Sequence, residues 1–94
     1  MYRLVVAQGV LKELGDVKRY PAKVFRQIAL KIFGLSINPR PPDVKKIGDG
    51  YRVDSGEYRI YYEVDDKERT IVVLLVAKRG DDEIYRRLKR KFGV

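Results

Sequence analysis

Arg52 and Arg59 lie in the stretch "GYRVDSGEYRIYYEV" (50–64), which reads as two alternating strands around a tight turn. Arg79 and Tyr85 follow in "AKRGDDEIY", at the end of an apolar run and about one turn into the next helical segment. A guanidinium stays charged at any working pH and can grip two phosphate oxygens at once. A strand end beside a helix start also welcomes an anion. These arginines and the tyrosine therefore read as a site for an anionic ligand, with RNA phosphate the best reading. With the turn placed at Ser55-Gly56, Val53 faces Tyr58 and Arg52 faces Arg59. Like charges directly opposite in an antiparallel pair are destabilising, so a phosphate ligand gives the arrangement its reason. The blander reading is a solvated arginine paired to Glu63 on the same face, with Tyr85 serving helix packing.

The elements that must hold these side chains are legible in outline. "YRLVVA" (2–7) predicts a first strand, and "GVLKELGDV" a short helix. "RYPAKVFRQIALKIFGLSINP" predicts a longer helix with Val24, Phe25, Ile28, Ile32 and Leu35 on one apolar face. Leu30 falls among the polar residues, where it reads as a solitary exposed leucine, with a partner contact as the alternative. "NPRPPDVKKIGDG" reads as a semi-rigid linker, its "GDG" a plain turn signal. After the hairpin, "VDDKERT" marks a second turn. "TIVVLLVAKR" is apolar on both faces up to Ala77, as in a central strand covered on both sides. "DDEIYRRLKRKF" predicts a closing helix with Asp81, Asp82 and Glu83 at its N-terminus and a seam of Ile84, Leu88 and Phe92. The expected fold is α+β, a mainly antiparallel four-stranded sheet with two N-terminal helices and a short C-terminal helix. Its order is β-α-α-β-β-β-α, in a single domain spanning 1–94.

Composition narrows the chemistry. The 94 residues carry a formal charge of +8, which favours a polyanionic partner. Cysteine and histidine are absent, which removes thiolate chemistry, Cys-based zinc sites and the commonest general base. The acidic clusters "DDKE" and "DDE" sit at a turn and a helix start, where acids have structural reasons to be. No metal site and no small-molecule cofactor are expected, and neither standard phosphate loop is present. "TIVVLLVA" falls far short of the ~20 residues that span a bilayer, and the N-terminus turns polar too soon for a signal peptide. A cytoplasmic protein without membrane contact is expected.

The order of elements, with "GYRVDSGEYRIYYEVDD", "VVLLVAKRGD" and "EIYRRL", resembles the RelE/ParE toxin superfamily over nearly the whole chain. "PPDVKKIGDGYRV", "GEYRIYYEV" and "AKRGDDEIY" match its RelE branch better. The resemblance implies a type II toxin that cleaves messenger RNA on the ribosome and is held inactive by a cognate antitoxin. It implies an active site of Arg52, Arg59, Arg79 and Tyr85, with Arg59, Arg79 and Tyr85 catalytic; Arg52, Lys45, Lys46 and Lys78 are expected to bind the RNA. Cleavage would follow attack of the ribose 2′-hydroxyl on the adjacent phosphate, without metal. Asp54 departs from the pattern: many relatives carry a second basic residue there, and an acid opposes phosphate. A ParE-like gyrase inhibitor, a degenerate member that binds only antitoxin or RNA, and a plain RNA-binding module are the competing readings.

Overall fold

Glycine placement sets the register of the sheet. In the computed structural model, which describes residues 1–80 and 83–92, β3 (Gly50–Ser55) and β4 (Tyr58–Asp65) are joined through Gly56 and Glu57. Gly56 has φ of +59° and stands first in the two-residue loop, where a II′ hairpin turn calls for glycine. Ser55 therefore pairs with Tyr58, Asp54 with Arg59 and Arg52 with Tyr61. The expected turn at Ser55-Gly56 is one residue off. It would have put serine at the position that needs a positive φ.

The same device repeats just upstream. Lys45–Ile47 form β2, and Gly48 (φ +57°) with Asp49 turns the chain so that Ile47 pairs with Gly50. The linker expected at 38–50 thus contains a strand, and "GDG" is a hairpin turn. Gly50 is also a packing position: a Cβ there would lie 2.6 Å from the Tyr62 carbonyl oxygen and 2.7 Å from the Tyr61 ring.

The sheet has five strands in the order β1-β5-β4-β3-β2, with β1 (Arg3–Val6) parallel to β5 (Thr70–Lys78) and the remaining pairs antiparallel. It is a mixed five-stranded sheet, not the expected four-stranded one, and the order becomes β-α-α-β-β-β-β-α. β4 is central; β5 lies beside it, second from the edge.

Alternation divides the side chains between two layers. One face packs Val53, Ile60, Tyr62, Ile71, Val73 and Val76 against α1 (Gln8–Leu14) and α2 (Ala22–Ile37) through Val10, Leu14, Ile28, Ile32 and Leu35. The other face packs Tyr61, Leu75 and Ala77 against Ile84 and Leu88 of α3 (Glu83–Phe92). A bulge between Tyr61 and Tyr62 admits Leu74 as an extra residue in β5, which puts both Leu74 and Leu75 toward α3. The apolar run of β5 is thus covered on both sides, as its composition requires. Asp81 and Asp82, expected at the helix start, and the Phe92 side chain of the expected seam lie outside the described residues.

Polar straps fix the connections. The Tyr62 hydroxyl donates to the Pro39 carbonyl at 2.6 Å, and Arg40 donates to both Asp66 oxygens at 3.2 and 2.9 Å. Arg87 of α3 donates to the Val76 carbonyl at 2.9 Å and to Glu13 of α1 at 2.7 Å, holding the helix that carries Tyr85. No helix among the described residues is long and apolar enough to cross a membrane.

Candidate phosphate-binding site

Residues 52, 54, 59 and 61 share the sheet face that α3 covers, because direct partners and every second residue project the same way. Toward the loop end of the hairpin, three arginines gather on that face around one carboxylate. Asp54 Oδ1 lies 3.3 Å from Arg52 Nη1 and 3.3 Å from Arg59 Nε. Its Oδ2 lies 3.7 Å from Arg79 Nε. The Arg52 contact is a hydrogen bond, whereas Arg59 Nε is buried without one and is held by charge alone. Arg52 is 8% exposed as a residue, so its guanidinium needs a permanent counter-charge, and Asp54 supplies it.

Arg52 therefore faces Tyr61 rather than Arg59, and the expected repulsion between facing arginines does not arise. The like charges sit diagonally, with an acid opposite Arg59. Glu63, the partner anticipated for Arg59, is not the one it has.

Arg79 leaves the end of β5 and ties itself to the hairpin loop. Its backbone N–H donates to the Glu57 carbonyl at 2.8 Å, and its Nη1 donates to the Gly56 carbonyl at 3.2 Å. Its side chain stays half exposed, and with Glu57, Lys78 and Gly80 it lines an open cleft of about 490 Å³. Tyr85, one turn into α3, places its ring 5.8 Å from the Arg59 guanidinium carbon, a cation–π distance. Arg52, Arg59, Arg79 and Tyr85 are thus brought together.

The lysines divide. Lys45 pairs directly with Arg52 and shares its face. Lys46 projects to the opposite face, where its ammonium lies 4.8 Å from the centre of the Tyr51 ring. Lys78 pairs with Tyr58 and so starts from the helical side, but it reaches the rim of the cleft.

Comparison with known proteins points one way. Residues 4–83 match the family described as ParE toxin of type II toxin–antitoxin system, parDE. The fold is similar to that of the archaeal RelE–RelB complex from Pyrococcus horikoshii at TM-score 0.72 and 30% identity, covering 85% of this chain and 97% of that one. The chain belongs to the RelE/ParE toxin superfamily. Isolated E. coli RelE is similar at TM-score 0.70 and 26% identity, over 97% of this chain and 98% of that one. RelE of the Methanococcus jannaschii RelB–RelE complex is similar at TM-score 0.62 and 28% identity, over 88% and 96%. Comparison with curated protein sequences gives no match.

In this RelE/ParE toxin Asp54, the acid that departs from the family's basic pattern, is the carboxylate on which the three arginines converge. The signal was present in the glycine at position 56, which dictates the register. A second contributor, which no local pattern in the sequence marks, is Asp43: it accepts the Asp54 backbone N–H at 3.4 Å and pairs with Lys31 of α2 at 3.1 Å. Burial pushes the Asp43 carboxyl up, but the Lys31 ammonium and the Asp54 N–H outweigh that and leave it below the ordinary carboxylate range.

The toxin's helical side carries an apolar groove of about 550 Å³, lined by Leu14, Val17, Phe25, Leu30 and Phe33 among others. Leu30 is 64% exposed and Phe33 60%. Phe25, expected in the core, is exposed as well. Leu30 is therefore part of an apolar patch with Phe25 and Phe33 rather than a solitary residue, the arrangement its alternative reading as a partner contact requires.

Proposed function

We propose that this toxin, its residues 1–94 forming one toxin domain, is a metal-independent, ribosome-dependent messenger RNA endonuclease of the cytoplasm. The observation that carries the reading is the convergence of Arg52, Arg59 and Arg79 on one point, with Tyr85 against Arg59. Attack of a ribose 2′-hydroxyl on the adjacent phosphate passes through a phosphorane more negative than the starting diester. Fixed guanidinium donors hold that extra charge without reorganising, worth roughly 3–4 kcal/mol per well-placed donor. Arg59 and Arg79 take this part, and the Tyr85 hydroxyl protonates the departing 5′-oxygen. Arg52 and Lys45 line the path of the backbone, and Lys78 guards its exit at the cleft. The ribosome supplies orientation, which accounts for a large share of the barrier in such reactions.

Two of the similar structures are RelE–RelB complexes, and we carry a cognate antitoxin over to this chain. The exposed apolar groove between α1 and α2 and the closing helix are its docking surfaces.

Brief expression followed by primer extension on cellular messages tests the reading. Cuts within translated codons are expected. A gyrase-inhibiting activity is the second reading, favoured by the match to the ParE toxin family; intact message with damaged DNA would decide for it.

A further inference from the structure

We infer that Glu13 and Arg87 are positioning residues for Tyr85, a role that rests on the nuclease reading above. α3 meets the sheet through a narrow seam, Ile84 and Leu88 against Tyr61, Leu75 and Ala77. Apolar contact is non-directional, so the seam alone resists a roll of the helix about its axis only weakly. At about 100° per residue, Tyr85 stands about 80° to one side of the seam and Arg87 about 80° to the other. A roll that lifts the Tyr85 ring from Arg59 therefore drives Arg87 toward the sheet, and the opposite roll pulls Arg87 away. Fixing Arg87 fixes Tyr85.

Two directional bonds hold Arg87. Its Nη1 donates to the Val76 carbonyl at 2.9 Å and its Nη2 to Glu13 Oε1 at 2.7 Å. β1 ends at Val6, opposite Val73, so among the described residues Val76 has its strand partner in Ile60 of β4 alone. Glu13 belongs to α1, in the layer on the other face of the sheet. The strap thus ties α3 through β5 to the far helical layer. Stability is a poor reason for it. The Arg87 and Glu13 side chains are only 16% and 27% exposed, so desolvation offsets much of their attraction. Glu13 Oε2 is buried with no hydrogen bond among the described residues, a further cost. Orientation is what the strap supplies. It keeps the Tyr85 ring 5.8 Å from the Arg59 guanidinium carbon, beside the arginine that grips the phosphate. A misplacement of about 1 Å in such a group costs on the order of 100-fold in rate.

Two measurements on full-length toxin test this. The first reads the ring without any reaction, through the proton resonance of the buried Arg59 Nε–H, whose ring-current shift is assigned by its loss in Tyr85→Leu. Glu13→Ala is expected to move this resonance toward its Tyr85→Leu position. Glu13→Gln, whose amide oxygen still accepts from Arg87, is expected to keep it near the wild-type position. The second is single-turnover cleavage of ribosome-bound message, with the ordinary substrate and one whose scissile 5′-oxygen is replaced by sulfur. A thiolate leaves without a proton, so the sulfur substrate bypasses Tyr85. Glu13→Ala is expected to slow the ordinary substrate by about tenfold or more, to spare the sulfur substrate, and to add nothing in a Tyr85→Phe background. Tyr62→Phe, which loses its bond to Pro39 on the helical side, is the destabilised control and is expected to cleave both at the wild-type rate. An unmoved Arg59 resonance in Glu13→Ala overturns the proposal. So does a loss shared by both substrates, or one that adds to that of Tyr85→Phe, because either makes the strap a general brace. Should Glu13→Ala fail to fold by circular dichroism, Arg87→Lys decides, since it keeps the charge and loses the planar fork that spans both acceptors. Full rate and an unmoved resonance in Arg87→Lys overturn the role. Wild-type toxin that leaves message intact overturns the nuclease reading and the strap's part in the reaction with it. Active wild type with an equally active Glu13→Ala overturns only the role of the strap.

Discussion

Asp54 and Arg59 face each other across the β3–β4 ladder, with 3.3 Å between the carboxylate Oδ1 and the guanidinium Nε. The pair turns a cluster of like charges into a stable part of a folded sheet. Without an acid at this register position, Arg52 and Arg59 would share a partly buried face with no internal counter-ion. With it, the protein holds three arginines in place on one face of the sheet.

Facing arginines would gain stability on loss of one of them, so the sequence reading makes Arg59→Gln at least as stable as wild type. The observed register reverses the sign. Arg59→Gln should lower stability slightly, by about 1 kcal/mol or less, read as a lower urea midpoint, because the contact lacks a hydrogen bond and Arg52 and Arg79 still neutralise Asp54. Cleavage should fall by roughly 100-fold or more through the lost phosphorane contact. Both are measured on one preparation; full cleavage would remove Arg59 from the mechanism.

Tyr85→Phe keeps the ring beside Arg59 and removes the hydroxyl. Cleavage should drop at least about tenfold while RNA binding and the melting temperature hold. Tyr85→Ala should also lose the ring contact, and bind RNA less well. A silent Phe variant would show that the ring alone matters.

Two buried tyrosines should respond oppositely to the same change. Tyr62 donates to the Pro39 carbonyl at 2.6 Å, so Tyr62→Phe leaves that acceptor unpaired and should cost about 1–3 kcal/mol. The Tyr20 hydroxyl is buried with no partner among the described residues. Tyr20→Phe should be neutral or stabilising. Thermal melts of the two variants side by side check both signs.

Acid should weaken the fold through Asp43 and Asp66. Arg40 and the Tyr2 hydroxyl hold the Asp66 carboxyl below its ordinary value, and Asp43 is depressed as described. A depressed carboxylate stabilises the fold above its unfolded value and loses that contribution as pH falls through its folded one. The loss therefore belongs below about pH 3.8, the ordinary carboxylate value. Urea midpoints between pH 7 and pH 2.5 should fall in that window, and less steeply for Asp43→Asn.

Leu30→Glu with Phe33→Glu should leave folding and toxicity unchanged, since both side chains are exposed. Rescue by the co-expressed antitoxin should weaken. Undiminished rescue would place the antitoxin elsewhere.

Much of the site was legible along the chain. Alternation put Arg52 and Arg59 on one face under either turn placement, because moving the loop by one residue shifts the pairing by two and preserves parity. Composition marked β5 as covered on both sides, and the apolar spacing of Ile84 and Leu88 set α3 against the sheet with Tyr85 one residue along. What faces what was decided elsewhere. The positive φ of Gly56 selected Asp54 as the partner of Arg59, and the same requirement at Gly48 made a strand of an apparent linker. β1 joined β5 in parallel across more than sixty intervening residues, a pairing no local pattern encodes. The helical periodicity of α2 was broad enough to take in Phe25, yet the sheet beneath covers only the side of Ile28, Ile32 and Leu35. Local sequence fixes the side of an element on which a residue lies, through backbone geometry repeated every two or 3.6 residues. The neighbour it meets depends on loops and distant strands, which only the closed structure brings together.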